Sequence, residues 1–214
     1  MLAERLNNPE IQAILDEKEK ELEEIERQHF ACESYKAQEL AKLAEIKRLG
    51  GLRQYEDFTE EKIKNKAILK ELSNFPKGNY YLYGPAGCGK THAGVAIIRK
   101  MPQARLVRMS QISREYREDM SAENEDYIIN KYSKMLLLLD DLGSEKMTEF
   151  LQNIFFEIID NRWSNKIEGL IITSNLNIKQ LATIIGDRTA SRIIGLVGKN
   201  NFINLSGKDY RFEL

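Results

Sequence analysis

The sequence is poor in cysteine, and the little that it has is scattered. Its 214 residues include two cysteines, Cys32 and Cys88, which lie far apart in the chain. This usage is typical of a reducing compartment, and it excludes both a disulfide framework and a zinc site built from cysteines. His29 and Cys32 offer only two ligands, whereas a structural zinc site needs four, so a plain helical face is the better interpretation of that pair.

An excess of either charge and long apolar runs are also missing. The 32 Lys and Arg residues face 33 Asp and Glu residues, and a net charge of −1 creates no overall basic field for nucleic acid or membrane. No uninterrupted apolar run approaches the ~20 residues of a membrane span, and the N-terminus becomes charged too early for a signal peptide. With 42% hydrophobic and 30% charged residues, the composition predicts a globular protein, which we expect in the cytoplasm.

The first fifty residues have a pattern of their own. Asn8 and Pro9 are typical of a helix start. Apolar residues then recur at helical spacing among Glu and Lys residues, namely Ile11, Leu15, Leu22, Ile25, Cys32, Leu40 and Leu43. Lys18, His29 and Lys36 interrupt this stripe, so the pattern predicts one long amphipathic helix or a helical hairpin. An unbroken helix would be roughly 60 Å long, so it either folds back or leaves part of its stripe for a partner.

Beyond residue 50 the pattern changes to short apolar runs separated by helical stretches, which is typical of a parallel sheet with helical crossovers. The predicted strands are Tyr80–Tyr83, Arg105–Met109, Met135–Leu139, Leu170–Thr173 and Phe202–Leu205. The predicted helices are Lys90–Met101, Ser110–Tyr116, Met147–Asn161, Ile178–Ile185 and Thr189–Ile194. The charged stretch from Ser113 to Lys134 is expected to be an exposed helical excursion. We therefore expect two domains, a helical arm over residues 1–50 and an α/β domain over residues 51–214.

One segment matches a phosphate-binding loop at every position. The pattern G-x-x-x-x-G-K-[ST] is met by Gly84, Pro85, Ala86, Gly87, Cys88, Gly89, Lys90 and Thr91. The loop follows a predicted strand and precedes a predicted helix, where backbone amides and the helix N-terminus hold phosphates. Lys90 is expected to reach the β- and γ-phosphates and the Thr91 hydroxyl to bind Mg²⁺, and His92 is assigned to the same site. The sequence therefore predicts a site for ATP and Mg²⁺.

Polar residues follow two further apolar strands. Asp140 and Asp141 come directly after Met135–Leu139, at the strand end where doubly wound sheets bind ligands. Asp140 is expected to hold Mg²⁺ through water and Asp141 to polarise the attacking water. Because adjacent side chains on a strand point opposite ways, we expect the two carboxylates to divide these tasks. Asn175 is a candidate for binding the attacking water or the γ-phosphate, although an Asn after a strand is usually a turn residue.

The order of the motifs resembles that of a known family. After the phosphate loop come Leu138-Leu139-Asp140-Asp141-Leu142-Gly143-Ser144-Glu145, Thr173-Ser174-Asn175, Gly186-Asp187-Arg188-Thr189-Ala190-Ser191-Arg192-Ile193 and Gly207-Lys208-Asp209-Tyr210-Arg211. From Tyr55 to Arg211 the chain resembles the AAA+ ATPases of the DnaC/DnaI helicase-loader family, to which the IstB transposition ATPases are related. The resemblance implies a three-layer α/β P-loop fold with a parallel five-stranded sheet and without a C-terminal helical lid.

The resemblance also implies roles for individual residues. Asn175 matches the sensor-1 residue, Arg192 matches the arginine finger that reaches the nucleotide of a neighbouring subunit, and Arg211 matches the sensor-2 arginine. A guanidinium that faces developing phosphate charge can supply a large share of the rate enhancement. Arg188 is the weaker candidate, and a surface salt bridge is the alternative role for all three arginines.

The function implied by the resemblance is loading of a hexameric replicative helicase onto single-stranded DNA, driven by ATP and Mg²⁺. Residues 1–50 would hold the helicase, and the chain would self-associate through the Arg192 finger. The alternatives are an IstB-like ATPase that acts on DNA with a transposase, and a nucleotide switch with negligible turnover. For the arm, the alternative is a self-associating coiled coil. Asp140-Asp141 stands where most AAA+ enzymes have Asp-Glu, which predicts slow hydrolysis that DNA or a partner stimulates.

Overall fold

The computed structural model of the chain describes Ala44 and residues 58–207 and 209–210. Apart from Ala44, the predicted helical arm over residues 1–50 lies outside the described residues, and so does Arg211. The division of the chain into an arm and an ATPase domain at residue 50 therefore stays a prediction.

Strands and helices alternate along the described part of the chain. The strands are β1 (Asn79–Tyr83), β2 (Arg105–Val107), β3 (Leu137–Leu139), β4 (Leu170–Ser174) and β5 (Phe202–Asn204). The helices are α1 (Ala67–Glu71), α2 (Lys90–Arg99), α3 (Met109–Glu118), α4 (Ala122–Lys134), α5 (Glu149–Ser164), α6 (Ile178–Ile185) and α7 (Asp187–Val197), and a 3-10 turn over Lys199–Asn201 precedes β5. Helix α1 has no counterpart in the predictions from sequence.

The five strands form one parallel sheet in the order β2-β3-β4-β1-β5. In its centre, Leu138 of β3 is level with Ile171 of β4, and Leu82 of β1 is level with Thr173 of β4. Strands β3 and β4 are buried along their whole length, as expected for a parallel sheet covered on both faces. The predicted five-stranded parallel sheet is confirmed. Because its strands are parallel, the carboxyl ends of β1, β3 and β4 meet at one edge.

Helices cover both faces of the sheet. On one face, Leu82, Leu138 and Ile171 pack in a core that includes apolar residues of α1 and α2. On the other face, Tyr81, Leu139 and Ile172 pack in a second core, which α3 to α7 complete. Neighbouring residues of one strand thus enter different cores, as the twofold period of a strand requires. The result is the predicted three-layer α/β architecture.

The charged stretch from Ser113 to Lys134 is exposed only in part, which corrects the expectation of an exposed excursion. It contains the end of α3, a turn and α4. Ile128 and Tyr132 of α4 are buried, at 0% and 4% exposure, in the core that α5 also joins. The charges of the stretch occupy the outer face of an amphipathic helix, and the few apolar residues on its inner face fix its position.

Candidate functional site

A cavity of about 510 Å³ lies at the carboxyl edge of the sheet. Its floor is the phosphate loop from Ala86 to Thr91, and its polar wall carries Arg108, Asp140, Asp141 and Asn175, each of which follows a strand. Residues between positions 58 and 68, together with Leu205 and Tyr210, complete the lining. The volume lies within the range of small-molecule and cofactor sites.

The phosphate loop connects β1 to α2 in a tight path. Gly84 has a φ of 149°, and a Cβ at this position would lie 2.3 Å from the carbonyl oxygen of Leu205. A side chain is therefore excluded there by both the backbone conformation and the backbone of Leu205, which directly follows β5. Lys90, the first residue of α2, is buried, and its Nζ donates to the carbonyl oxygens of Gly84 at 2.9 Å and Pro85 at 2.8 Å. The lysine ammonium is thus held by the phosphate loop itself, next to the place where phosphates are expected to bind.

Asp140 is the centre of a hydrogen-bond network. Its Oδ1 accepts from the hydroxyls of Thr91, at 2.7 Å, and Thr173, at 2.9 Å. Its Oδ2 accepts from Nε and Nη2 of Arg108, both at 3.3 Å. Asp140 is 3% exposed, and both oxygens of this buried carboxylate accept hydrogen bonds from protein groups. Thr91 and Asp140, both expected to bind Mg²⁺, are 49 positions apart in the sequence and are in direct contact.

The side chains of this network fit a magnesium ion. Mg²⁺ is bound through oxygen ligands and keeps several waters, so one or two protein oxygens beside the phosphates of a nucleotide are enough. The Thr91 hydroxyl and the Asp140 carboxylate supply such oxygens next to the phosphate loop. Across residues 58–207 and 209–210, no group of three or more His, Cys, Asp and Glu side chains could hold a metal ion by itself. The donor set therefore suits an ion that arrives together with a nucleotide.

Asp141 corrects the expectation that the two carboxylates point to opposite sides of a strand. Strand β3 ends at Leu139, and Asp141 adopts the left-handed backbone conformation with a φ of 58°. Aspartate tolerates this conformation better than most residues, and the backbone N–H of Asp141 donates to the hydroxyl of Thr173 at 2.8 Å. As a result Asp140 and Asp141 line the same cavity, although their side chains have different hydrogen-bond partners.

Asn175 joins two of the predicted site residues. Its Oδ1 accepts from Lys90 Nζ at 2.9 Å, and its Nδ2 donates to Asp141 Oδ1 at 3.2 Å. The side chain therefore has a defined place between the phosphate loop and the second carboxylate, which an ordinary turn residue would not need.

His92 links the phosphate-loop helix to the segment before the core. Its Nε2 lies 2.9 Å from the carbonyl oxygen of Thr59, and its ring stacks on Phe58 with centroids 4.6 Å apart. Burial, together with the nearby charges of Lys62 and Lys66, lowers the pKa of His92, against the hydrogen bond to Thr59, which raises it. His92 and Phe58 both line the cavity, so the assignment of His92 to the nucleotide site has a geometric basis.

The arginines of the fourth motif lie elsewhere. Arg192 of α7 pairs with Asp160 of α5 at 2.6 Å, and its guanidinium lies 3.9 Å from the centre of the Trp163 ring. Arg188 lies 3.9 Å from the centre of the Phe156 ring. Neither arginine is among the described residues that line the cavity. A role for Arg192 at a nucleotide would therefore involve a neighbouring copy of the chain, and it stays a prediction.

One contributor to the site was missed by sequence reasoning. Arg108 was placed inside a strand, but β2 ends one residue before it, at the same edge as Asp140. The charge of Arg108 directly after an apolar run was a usable signal. Asp209 and Tyr210 belong to the last of the motifs that carry the resemblance, in which only Arg211 was given a role. The backbone N–H of Tyr210 donates to the carbonyl oxygen of Gly87 at 3.1 Å, which brings this segment onto the phosphate loop.

Known structures share this fold. DnaI has 22% sequence identity and a TM-score of 0.56 over 74% of this chain and 93% of its own. The DnaC helicase loader has 22% identity and a TM-score of 0.58 over 72% of this chain and 98% of its own. The replication initiator DnaA, solved with AMPPCP and single-stranded DNA, has 22% identity and a TM-score of 0.58 over 71% of this chain, which spans only 50% of that DnaA chain. At these identities the similarity establishes the P-loop AAA+ fold.

A family model gives the more specific result. No curated protein matches the chain. None of the helices in the described part is long and apolar enough to cross a membrane. The model of the family described as "IstB-like ATP binding protein" matches residues 15–213. That match spans the phosphate loop and every polar residue of the cavity, and the chain therefore belongs to the IstB-like ATP-binding protein family.

Proposed function

We propose that the chain is an ATP hydrolase that loads a replicative DNA helicase onto single-stranded DNA. The observation that supports hydrolysis is the convergence, on one cavity, of the groups that phosphoryl transfer to water requires. These groups are a buried ammonium, a hydroxyl beside a buried carboxylate, a second carboxylate, and an amide, provided by Lys90, Thr91, Asp140, Asp141 and Asn175.

Each side chain has a separate task in this proposal. Lys90 turns from the carbonyls of its own loop to the β- and γ-phosphate oxygens. Thr91 and Asp140 hold Mg²⁺ beside the phosphates, where the ion neutralises their developing charge. Asp141 accepts a proton from the attacking water, and Asn175, already bonded to Asp141, fixes the position of that water. Slow turnover follows from the short side chain of Asp141, which reaches less far than a glutamate.

The proposed role in replication is supported by the known structures that share the fold. DnaI and the DnaC helicase loader are covered over nearly their whole chains, and a DnaA structure contains both AMPPCP and single-stranded DNA. In the proposed function, residues 1–50 hold a hexameric helicase in the cytoplasm. The Glu-rich run from Glu19 to Glu26 favours a protein rather than a DNA backbone as the partner of this arm.

The second candidate is an accessory ATPase of transposition, which would act on DNA together with a transposase. It is favoured by the match to the IstB-like family over residues 15–213. Both candidates use the same nucleotide chemistry and differ in the partner of the arm, so only an experiment on the partner separates them.

The catalytic assignments are tested by two substitutions. Asp141→Asn should lower ATP turnover about 10²–10⁴-fold, because it removes the proton acceptor, while nucleotide affinity changes little. Arg192→Ala should lower turnover through loss of the finger in a neighbouring copy. Asp160→Asn is its matched control, because it breaks the same ion pair and keeps the guanidinium. Unchanged turnover in Asp141→Asn, or equal losses in Arg192→Ala and Asp160→Asn, would contradict these roles.

The partner is tested by capture from host lysate in the presence of ATP. The full-length chain should retain a hexameric helicase, and a Gly51–Leu214 truncation should lose it. Retention of a transposase instead would favour the second candidate. A helicase that is still held without residues 1–50 would place the docking surface on the ATPase domain.

A further inference from the structure

Arg108 lies beside the buried carboxylate of the site because of the register of the sheet. Val107 of β2 is level with Leu139 of β3, and the residues that directly follow the two strands are Arg108 and Asp140. The backbone N–H of Asp140 also donates to the carbonyl oxygen of Val107 at 2.9 Å. On the other side, the backbone N–H of Arg108 donates to Oε1 of Gln111 at 2.8 Å, at the start of α3. The backbone of Arg108 is thus fixed from two directions.

The guanidinium of Arg108 lies close to the phosphate loop. It shares the carboxylate of Asp140 with Thr91, since Arg108 bonds to Oδ2 and the Thr91 hydroxyl bonds to Oδ1. Thr91 belongs to the phosphate loop, and all three residues line the same cavity. One carboxylate group therefore separates the guanidinium from the loop.

The pairing of Arg108 with Asp140 is asymmetric and loose. The Asp140 side chain is 1% exposed, whereas the Arg108 side chain is 34% exposed. Both contacts measure 3.3 Å, longer than the 2.7–2.9 Å typical of a charge-assisted bond between nitrogen and a carboxylate oxygen. Oδ1 of Asp140 already accepts from two hydroxyls. The carboxylate of Asp140 therefore keeps two hydroxyl donors on Oδ1 whichever position the guanidinium adopts.

Binding of ATP changes the charges around Arg108. The γ-phosphate brings negative oxygens into the cavity, and Mg²⁺ brings a second positive charge to Asp140. The γ-phosphate oxygens attract the guanidinium, and Mg²⁺ repels it from Asp140. Both charges therefore favour movement of the guanidinium from Asp140 towards the γ-phosphate. ADP lacks the γ-phosphate and supplies the attraction only weakly.

We propose that Arg108 binds the γ-phosphate in the same subunit and thereby distinguishes ATP from ADP. It pairs with Asp140 when the γ-phosphate is absent and donates to a γ-phosphate oxygen when ATP is bound. The proposal rests on the nucleotide site of the proposed function and is independent of whether the partner is a helicase or a transposase. A planar guanidinium suits this task because it donates to two oxygens at once.

The test compares the affinities of full-length variants for ATP and ADP. Dissociation constants for fluorescent ATP and ADP are measured with Mg²⁺ and with EDTA, using wild type, Arg108→Gln, Arg108→Met and Arg105→Gln. Arg105 is the matched control, since it lies on β2, the strand that leads to Arg108, and donates to the carbonyl oxygens of Pro102 and Ala104. Arg108→Gln should weaken ATP binding about tenfold or more, the scale of one charged hydrogen bond, with ADP within about threefold. Arg105→Gln should change neither.

The selective loss should persist in EDTA, because the lost contact is to phosphate rather than to the ion. Equal changes in the affinity of Arg108→Gln for ATP and for ADP would overturn the proposal, and so would tighter binding of both nucleotides by this variant in Mg²⁺. Arg108 would then be only a counter-ion of Asp140. Thermal unfolding of each variant is measured alongside. Should Arg108→Gln fail to fold, Arg108→Met decides, because methionine keeps a long side chain without its charge or donors; an ATP-to-ADP affinity ratio equal to that of wild type then overturns the proposal. Wild type that binds neither nucleotide would instead reject the ATP site itself.

Discussion

Lys90 and Asp141 are held at opposite ends of one amide, because Asn175 accepts from the lysine with Oδ1 and donates to the carboxylate with Nδ2. The amide therefore couples the group that binds phosphate to the group proposed to accept a proton. A flip of the amide would exchange its oxygen and nitrogen and break both hydrogen bonds, so the two contacts together fix its orientation.

Asn175→Ala should lower ATP turnover about 10- to 100-fold and leave the dissociation constant of ATP within a few-fold of wild type. The reason is that Asp141 and the attacking water lose their positioning group, whereas Lys90 keeps its carbonyl partners and can still reach phosphate. Turnover is measured at saturating ATP, and affinity is measured separately by equilibrium binding.

Asn177→Ala is the control for this prediction. Asn177 caps α6 through its side chain, so its loss should cost about 1 kcal/mol of stability without touching the cavity. Turnover of Asn177→Ala should stay near that of wild type. An equal loss in both variants would mean that Asn175 acts through stability and has no separate role in the reaction.

Gly87 is the point where the segment of Asp209 meets the phosphate loop. A Cβ on Gly87 would lie 1.7 Å from Oδ1 of Asp209, and the φ of Gly87 is 77°. Gly89 has a comparable φ of 93°, but a Cβ there meets no described atom within 4 Å. Gly87→Ala and Gly89→Ala should therefore share a backbone cost of about 1–2 kcal/mol, and only Gly87→Ala should also displace Asp209.

The comparison is made by urea unfolding of the nucleotide-free protein. Gly87→Ala should be the less stable variant by about 1 kcal/mol or more, on the scale of an overpacked site. In an Asp209→Ala background the difference from Gly89→Ala should disappear. If the two glycine variants are equally stable with Asp209 present, the carboxylate does not lie over Gly87 in solution.

His92 should make stability depend on pH in a defined window. Its folded pKa is lowered from the ordinary value of 6.5, so the unfolded chain binds more protons once the pH falls below about 6.5. Above that pH the residue contributes nothing to the slope. Between about 6.5 and the lowered pKa the free energy of unfolding should fall as the pH falls, and below the lowered pKa this contribution levels off.

Urea unfolding at pH values from 8 to 5 checks this dependence, with His92→Gln as the test variant. Between about pH 6.5 and the lowered pKa, His92→Gln should remove part of the dependence of the unfolding free energy on pH, because glutamine does not titrate. Phe58→Leu removes the ring stacked on His92 and admits water, so it should lower stability at every pH and reduce the slope. A slope that His92→Gln leaves unchanged would contradict the lowered pKa.

The strands could be predicted where an apolar run ends abruptly in polar residues. Strand β3 ends at Leu139, directly before Asp140. The same change from apolar to polar residues at the end of β4 pointed to Asn175. The phosphate loop was predicted in full because its chemistry needs adjacent residues. These features are local, and the chain carries them in short segments.

Contacts between distant segments could not be predicted in the same way. Asn175 and Lys90 are 85 positions apart, and no pattern marks them as partners. Arg108 was predicted to lie in a strand. In the structure its backbone N–H bonds to Gln111 in the first turn of α3, and this contact could not be read from the apolar run of β2. The burial of Ile128 depends on α5, which follows α4 in the sequence, so the charges around Ile128 suggested exposure instead.

Arg162 of α5 is buried completely, at 0% exposure, and it holds the end of α4 against the sheet. Its Nη1 donates to the carbonyl oxygens of Tyr132 at 2.8 Å, Ser133 at 2.8 Å and Met135 at 3.1 Å, and its Nη2 donates to the backbone carbonyl oxygen of Glu168 at 3.3 Å. These carbonyls include those that the C-terminal turn of a helix leaves without partners. Burial lowers the pKa of Arg162 to about 10, which leaves it charged at neutral pH.

Arg162→Met should therefore lower the free energy of unfolding by about 3 kcal/mol or more, since several buried carbonyl oxygens lose their donor at once. Arg162→Lys should recover only part of this loss, because one ammonium cannot reach carbonyls on both sides. Urea unfolding measures both, with Arg117→Met on the exposed face of α3 as a control expected within about 0.5 kcal/mol of wild type. A loss below about 1 kcal/mol in Arg162→Met would mean that water can replace the guanidinium. The position of α4 would then depend on its apolar face alone.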